Sequence, residues 1–149
     1  MLKQFWVVVN IFIDRDTLGF ILCHADLKMK NNLLRKIKSF DITTEQWMIL
    51  NRLFEEPGIN QKELSERTLK DQGSLTRTLD RMEKKGLVQR QINPTDRRSF
   101  LIYLTDEGYA LRDRIVPIAV ECIEDAVKGF TEEEVDTLVA LLKKLILNL

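Results

Sequence analysis

Gln72, Gly73, Ser74, Thr76, Arg77 and Arg81 fall within ten consecutive positions, and Asp96, Arg97 and Arg98 follow a short way downstream. Amide, hydroxyl and guanidinium groups are the donors and acceptors that read base edges, and a guanidinium fork also matches phosphate. The first group falls on a predicted helix. Asp71 caps it, Gln72-Gly73-Ser74 form its first turn, and Leu75, Leu79 and Met82 recur at i, i+4, i+7, which pins one side to a core. The opposite side must then present Gly73, Arg77, Asp80, Arg81 and Lys84, with Gln72, Ser74 and Thr76 flanking them near the start. The second group sits at the tip of a predicted hairpin. Gly86 ends the helix, and Leu87 to Ile92 and Ser99 to Leu104 are rich in strand-favouring types. Asp96 is expected to hold an arginine in place while a free guanidinium enters a minor groove or clamps phosphate.

Other elements must position these groups. Pro57-Gly58 breaks the preceding pattern, Asn60 is placed to cap a helix from Gln61 with Glu63 as its capping-box partner, and Lys70-Asp71 supplies a short turn. Leu64 and Leu69 are that helix's expected apolar positions. Residues 60 to 105 thus read as helix, helix, hairpin, a shape suited to one helix in a DNA groove and one arm on the neighbouring backbone. Around it, Leu18, Leu22, Ala25, Met29, Leu33 and Ile37 mark a long first helix, and Trp47, Leu50 and Phe54 a second from Thr43 or Thr44 to Glu56. Leu111, Ile115, Ile118 and Cys122 mark another long helix, in which Pro117 removes a donor and predicts a bend. Thr131 and Glu134 open the last. There Val135, Leu138, Leu142, Leu145 and Leu149 form a coiled-coil-like seam that Val139, Leu141 and Ile146 widen. A small domain cannot bury so wide a stripe alone, so the terminal helices are the expected dimer interface, against the simpler reading of an intramolecular core.

The segments D-Q-G-S-L-T-R-T-L-D-R-M-E-K-K-G-L-V (Asp71 to Val88) and D-R-R-S-F-L-I-Y-L-T-D-E-G (Asp96 to Gly108) resemble the signature of the MarR family of winged-helix regulators. The resemblance extends to L-G-F at Leu18 to Phe20 and I-T-T-E-Q-W at Ile42 to Trp47, and covers about residues 17 to 149. It implies a mostly α fold with a small β-hairpin wing, a winged helix-turn-helix lobe at about 42–105, and dimerisation helices at about 14–40 and 106–149. It implies a homodimer on a pseudo-palindromic double-stranded DNA operator, usually a repressor released by a small-molecule inducer or an oxidant. It assigns Ser74, Thr76 and Arg77 to the major groove and Arg98 to the wing's groove contact, with Asp96 as support. Gly73 departs from the small polar residue that the family often has there and trades a side-chain contact for closer backbone approach. Cys23, near the start of the first helix, is placed as the sensing cysteine is in the family's peroxide-sensing branch. A buried small apolar side chain is the competing role for it.

The whole chain has no net charge, which alone does not advertise a nucleic-acid binder. Its distribution does: residues 60 to 98 hold ten Lys and Arg against six Asp and Glu, whereas residues 105 to 149 hold five against ten. The basic surplus coincides with the helix and hairpin. The apolar run from Phe5 to Ile13 is too short to span a bilayer and lacks a signal peptide's cleavage pattern, so no membrane role is expected. It is expected to pack against the core or a groove. Two cysteines, Cys23 and Cys122, suit a reducing cytoplasm, and with His24 as the sole histidine no metal spacing exists. No nucleotide-binding glycine loop or nucleophile motif points to an enzyme or a cofactor. The rival to a DNA-binding regulator is a winged-helix protein-interaction module whose basic face meets an acidic partner.

Overall fold

The computed structural model describes residues 17–149, and the expected packing of the apolar run from Phe5 to Ile13 lies outside them. Among these residues, six α-helices and three short strands follow in the order α1 (Leu18–Ile37), α2 (Thr44–Glu55), β1 (Ile59–Asn60), α3 (Gln61–Thr68), α4 (Gln72–Lys84), β2 (Val88–Ile92), β3 (Phe100–Leu104), α5 (Asp106–Ala126) and α6 (Glu132–Leu147). This is the mostly α architecture with a hairpin wing that the residue pattern predicts.

Local chemistry sets most of the boundaries. Thr17 caps α1 by accepting the Phe20 N–H at 3.2 Å, and α1 runs on into a single 3-10 turn at Lys38–Phe40 that Asp41 ends in the left-handed region. Thr43 with Gln46 and Thr131 with Glu134 form complete capping boxes at the starts of α2 and α6. Asn60 caps α3 through the Glu63 N–H at 2.9 Å. Its last turn departs from expectation. Leu69 is the left-handed C-cap of α3 and is 93% exposed, because closing the helix onto the Ser65 and Glu66 carbonyls turns its side chain outward. Gly86 (φ +70°) closes α4 while the Leu87 N–H bonds the Met82 carbonyl at 2.9 Å, the left-handed close that glycine takes without steric cost.

The sheet has the order β1-β3-β2 and is antiparallel throughout. β1 is an addition to the expected hairpin: Ile59 and Asn60 pair with Ile102 and Leu101, and the Gly58 N–H donates to the Ile102 carbonyl at 3.0 Å. The core gathers where α2, α3, α4 and the sheet meet, with Leu50, Leu53, Leu64, Leu79, Met82 and Ile102 excluded from solvent. Leu75, Leu79 and Met82 therefore anchor α4 as their spacing predicts. α5 adds Ile115 to this core and runs unbroken through Pro117. Lys36 of α1 ties to Glu121 and Asp125 of α5 at 3.0 Å each, and these carboxylates, Asp125 first, raise its pKa above the usual lysine value. In contrast, no residue of α6 is buried, and Phe20, Ile21 and Leu27 of α1 are half exposed.

Candidate nucleic-acid interface

The N-terminal end of α4 is organised by Asp71. Its carboxylate accepts the Ser74 N–H at 2.8 Å, and the Ser74 hydroxyl in turn accepts from the Arg77 guanidinium at 3.1 Å. The Ser74 backbone and hydroxyl, with Arg77 nearby, hold the Asp71 carboxyl below its usual pKa, so the cap is ionised at neutral pH. Gly73 lies between them. A methyl group on it would come 3.3 Å from Asp71 Oδ1 and 3.8 Å from Arg77 Nη1. Gln72, Gly73, Arg77 and Arg81 are exposed, and Ser74 is half-buried. The structure thus brings Gly73, Ser74 and Arg77 together at one capped helix end, with Arg81 one turn further on.

Thr76 is placed differently. It is half-buried, its hydroxyl donates to the Gln72 carbonyl at 2.7 Å, and it accepts from the Gln61 amide of α3. The hydroxyl is thus engaged within the helix pair. Gln61 is one of the residues that the sequence reading missed, because a partner fifteen positions away leaves no periodic trace. Lys70 is another: its ammonium meets Glu45 of α2 and its carbonyl accepts from Ser65, which fixes the turn before α4.

The wing tip is held by backbone geometry. Asp96 accepts the Arg98 backbone N–H at 3.0 Å and makes no ion pair among the described residues, so it holds Arg98 by the main chain and not by the guanidinium. An aspartate two residues before an N–H satisfies it within an Asx turn, so the carboxylate is used locally. Asn93 completes the tip, with its N–H on the Ser99 carbonyl at 3.0 Å and its amide on the Ser99 hydroxyl at 3.0 Å. Arg97 and Arg98 are exposed, and neither they nor Arg81 and Lys84 take part in an ion pair among the described residues.

Arg90 joins the two parts. From β2 it reaches Asp80 at 2.7 Å and Glu83 at 2.6 Å on α4, with only 16% of its side chain exposed. This pairing neutralises acids that would otherwise stand on the solvent side of α4. No sequence signal distinguished it, since Arg90 looked like one polar residue of an alternating strand. At the far end of α4, Lys85 pairs with Asp41 at 2.9 Å, and the Thr105 N–H donates to the Leu87 carbonyl at 3.1 Å. Both joins to the long helices are thereby fastened to the residues that follow α4.

Cys23 is exposed on α1 and Cys122 is buried on α5. A buried role for Cys23 is therefore corrected for the described residues, which leave its side chain exposed. Among the described residues no group of three or more His, Cys, Asp or Glu could hold a metal ion, and no helix is long and apolar enough to cross a membrane.

Comparison with known proteins bears on this geometry. The MarR family model matches residues 42–100, the segment that spans α2 to the wing. The HTH-type transcriptional regulator SarZ of Staphylococcus haemolyticus is 35% identical over 142 residues, covering 93% of this chain and 95% of that protein. The chain belongs to the MarR family of transcriptional regulators. Among solved structures, a mutant MarR from Escherichia coli complexed with operator DNA has a TM-score of 0.83 and 32% identity, covering 91% of this chain and 96% of that one. BpsR of Bordetella bronchiseptica, whose DNA binding is regulated by 6-hydroxynicotinic acid, has a TM-score of 0.79 and 25% identity over 86% of this chain and 97% of its own. In this MarR-family chain, α3 and α4 are the helix-turn-helix pair and β2-β3 the wing.

Proposed function

We propose that this MarR-family chain is a sequence-specific DNA-binding repressor that acts in the cytoplasm as a homodimer on a pseudo-palindromic operator. The observation that carries the reading is the pairing of a capped recognition helix, α4, with a wing tip whose two exposed arginines make no ion pair among the described residues. Gln72, Gly73, Ser74, Arg77 and Arg81 face the major groove, with Arg77 reading a base edge and Thr76 offering its methyl. Arg97 and Arg98 engage the neighbouring minor groove or its phosphates, and Asp96 keeps their backbone in place.

Residues 42–105 form the DNA lobe in this reading, and the long helices on either side of it pair two subunits. Support comes from the exposed apolar side chains of α1 and α6, among them Phe20, Ile21, Leu138 and Leu141. A second copy covers such a surface, and a twofold axis places two recognition helices about 34 to 36 Å apart, one helical turn of DNA. Release by a small molecule follows if a ligand alters that spacing. A cavity of about 310 Å³ lined by Met29, Leu33, Trp47, Ala119 and Cys122 lies between the long helices and α2 and offers such a place.

Selection of bound sequences from random DNA tests the proposal. A recovered palindrome with affinity that falls steeply with salt supports it, and Arg77→Ala should then cost about 1 to 3 kcal/mol and relax the preference at one base pair. Binding to an acidic protein with no duplex preference supports the interaction-module reading instead.

A further inference from the structure

One face of the wing carries an apolar pair that the described residues leave exposed. Ile92 on β2 and Phe100 on β3 are direct cross-strand partners, and they are exposed at 64% and 45%. Side chains alternate between faces along a strand, so Ile92 shares the face of Val88 and Arg90, and Phe100 that of Ile102 and Leu104. At the root of the wing this face is core, since Val88, Ile102 and Leu104 are buried. Midway along, Arg90 crosses from it to Asp80 and Glu83 of α4. Ile92 and Phe100 continue the same face past that last tie. They thus lie on the wing face from which Arg90 reaches α4, just short of the tip that bears Arg97 and Arg98. On the opposite face of β2, Gln89 and Gln91 are polar and exposed, as solubility alone would favour.

This inference rests on the reading above, with α4 in a major groove and the wing tip at the adjoining minor groove. A body that straddles two neighbouring grooves encloses one ridge of sugar-phosphate backbone between its arms. The phosphates of that ridge suit cations, whereas the sugar rings beneath them present C–H surface. We propose that Ile92 and Phe100 form an apolar seat for deoxyribose rings of the strand that passes between the recognition helix and the wing. Arg97 and Arg98 supply the cations at its outer rim. Arg90, by neutralising Asp80 and Glu83, keeps the inner rim from repelling the phosphates.

An apolar contact and an ionic one respond differently to salt. Each phosphate contact released lowers the slope of log affinity against log salt by about 0.9, whereas a lost apolar contact lowers affinity equally at every salt. Affinity is therefore measured across a salt series with a duplex recovered by selection with the unaltered protein. Ile92→Ser and Phe100→Ser together should weaken binding by roughly tenfold with the slope unchanged. Ile92→Val and Phe100→Leu should retain close to the parent affinity, and Arg98→Ala should flatten the slope. Because both side chains are exposed, the thermal midpoints of these variants should stay near the parent value. Serine variants that bind as the parent does, or that change the slope, overturn the seat while leaving the regulator reading intact. A parent protein with no preference for any duplex overturns both.

Discussion

Gly108 of α5 lies so close to the carbonyl oxygen of Leu87 that a methyl group in place of its hydrogen would overlap that oxygen. The same carbonyl accepts the Thr105 N–H at 3.1 Å, and the Thr105 hydroxyl donates to the Gly86 carbonyl. The residues that close α4 thus double as the seat for the first turn of α5. A displacement of the first turn of α5 therefore bears directly on the close of α4.

Gly108→Ala should therefore act as overpacking at a backbone contact. Neither a helix start nor a buried carbonyl can yield as a flexible side chain would, so we expect a loss of about 1 to 3 kcal/mol. Urea midpoints of the two proteins at one pH measure it directly. An unchanged midpoint would mean that α5 and the close of α4 slide freely past each other.

The Asp71 cap makes stability depend on pH with a defined sign. Its folded pKa is below the ordinary carboxylate value, so the stabilisation is complete above the unfolded pKa and is lost as the pH falls through the folded one. The difference in urea midpoint between the parent and Asp71→Ala should hold steady from pH 7 to 5 and shrink below about pH 4. Asp71→Asn keeps an acceptor but no charge, so its midpoint should fall between the two at pH 7. A gap that widens in acid would reverse the assignment of the cap as the titrating group.

Much of this arrangement was legible from local pattern, because caps and periodic anchors are short-range signals. Asp71, Leu75, Leu79, Met82 and Gly86 place α4 without any knowledge of the rest of the chain. What could not be read is pairing at a distance. Arg90 with Asp80 and Glu83, Gln61 with Thr76, and Lys70 with Glu45 depend on how elements pack, and their residue types are ordinary. Leu69 misled for the opposite reason: an apolar residue at the end of a helical run looks like core until the left-handed turn that ends α3 rotates it outward. The two-residue strand β1 was hidden by Pro57-Gly58, which marks a break and says nothing of the pairing that follows.

Arg90→Ala should show what the wing-to-helix tie contributes. Removing the guanidinium frees two carboxylates on α4 and loosens the wing together, and coupled residues of this kind exchange about 0.5 to 3 kcal/mol. We expect operator affinity to fall by roughly tenfold, with more loss at low salt, where charge repulsion is least screened. Adding Asp80→Asn to Arg90→Ala should restore part of the affinity. If the double variant is no better than the single one, geometry alone accounts for the role of Arg90.

Gly73 separates stability from recognition. In the middle of a helix glycine forgoes roughly 0.5 to 1 kcal/mol relative to alanine, an upper bound for a first-turn position. Alanine at this position regains some of that, but its methyl crowds the Asp71 carboxylate at 3.3 Å, so the net change in stability should be under about 1 kcal/mol. The same methyl stands 3.8 Å from Arg77 Nη1, an ordinary van der Waals contact, on the side where α4 would meet DNA, so it should hold the helix, and Arg77 with it, off the groove floor. Gly73→Ala should therefore melt near the parent temperature yet bind the operator roughly tenfold more weakly, with altered preference at the base pair that Arg77 contacts. Paired melting and binding-selection measurements decide it. Equal affinity and equal preference would place position 73 away from the duplex and shift the recognition surface toward Arg81 and the C-terminal half of α4.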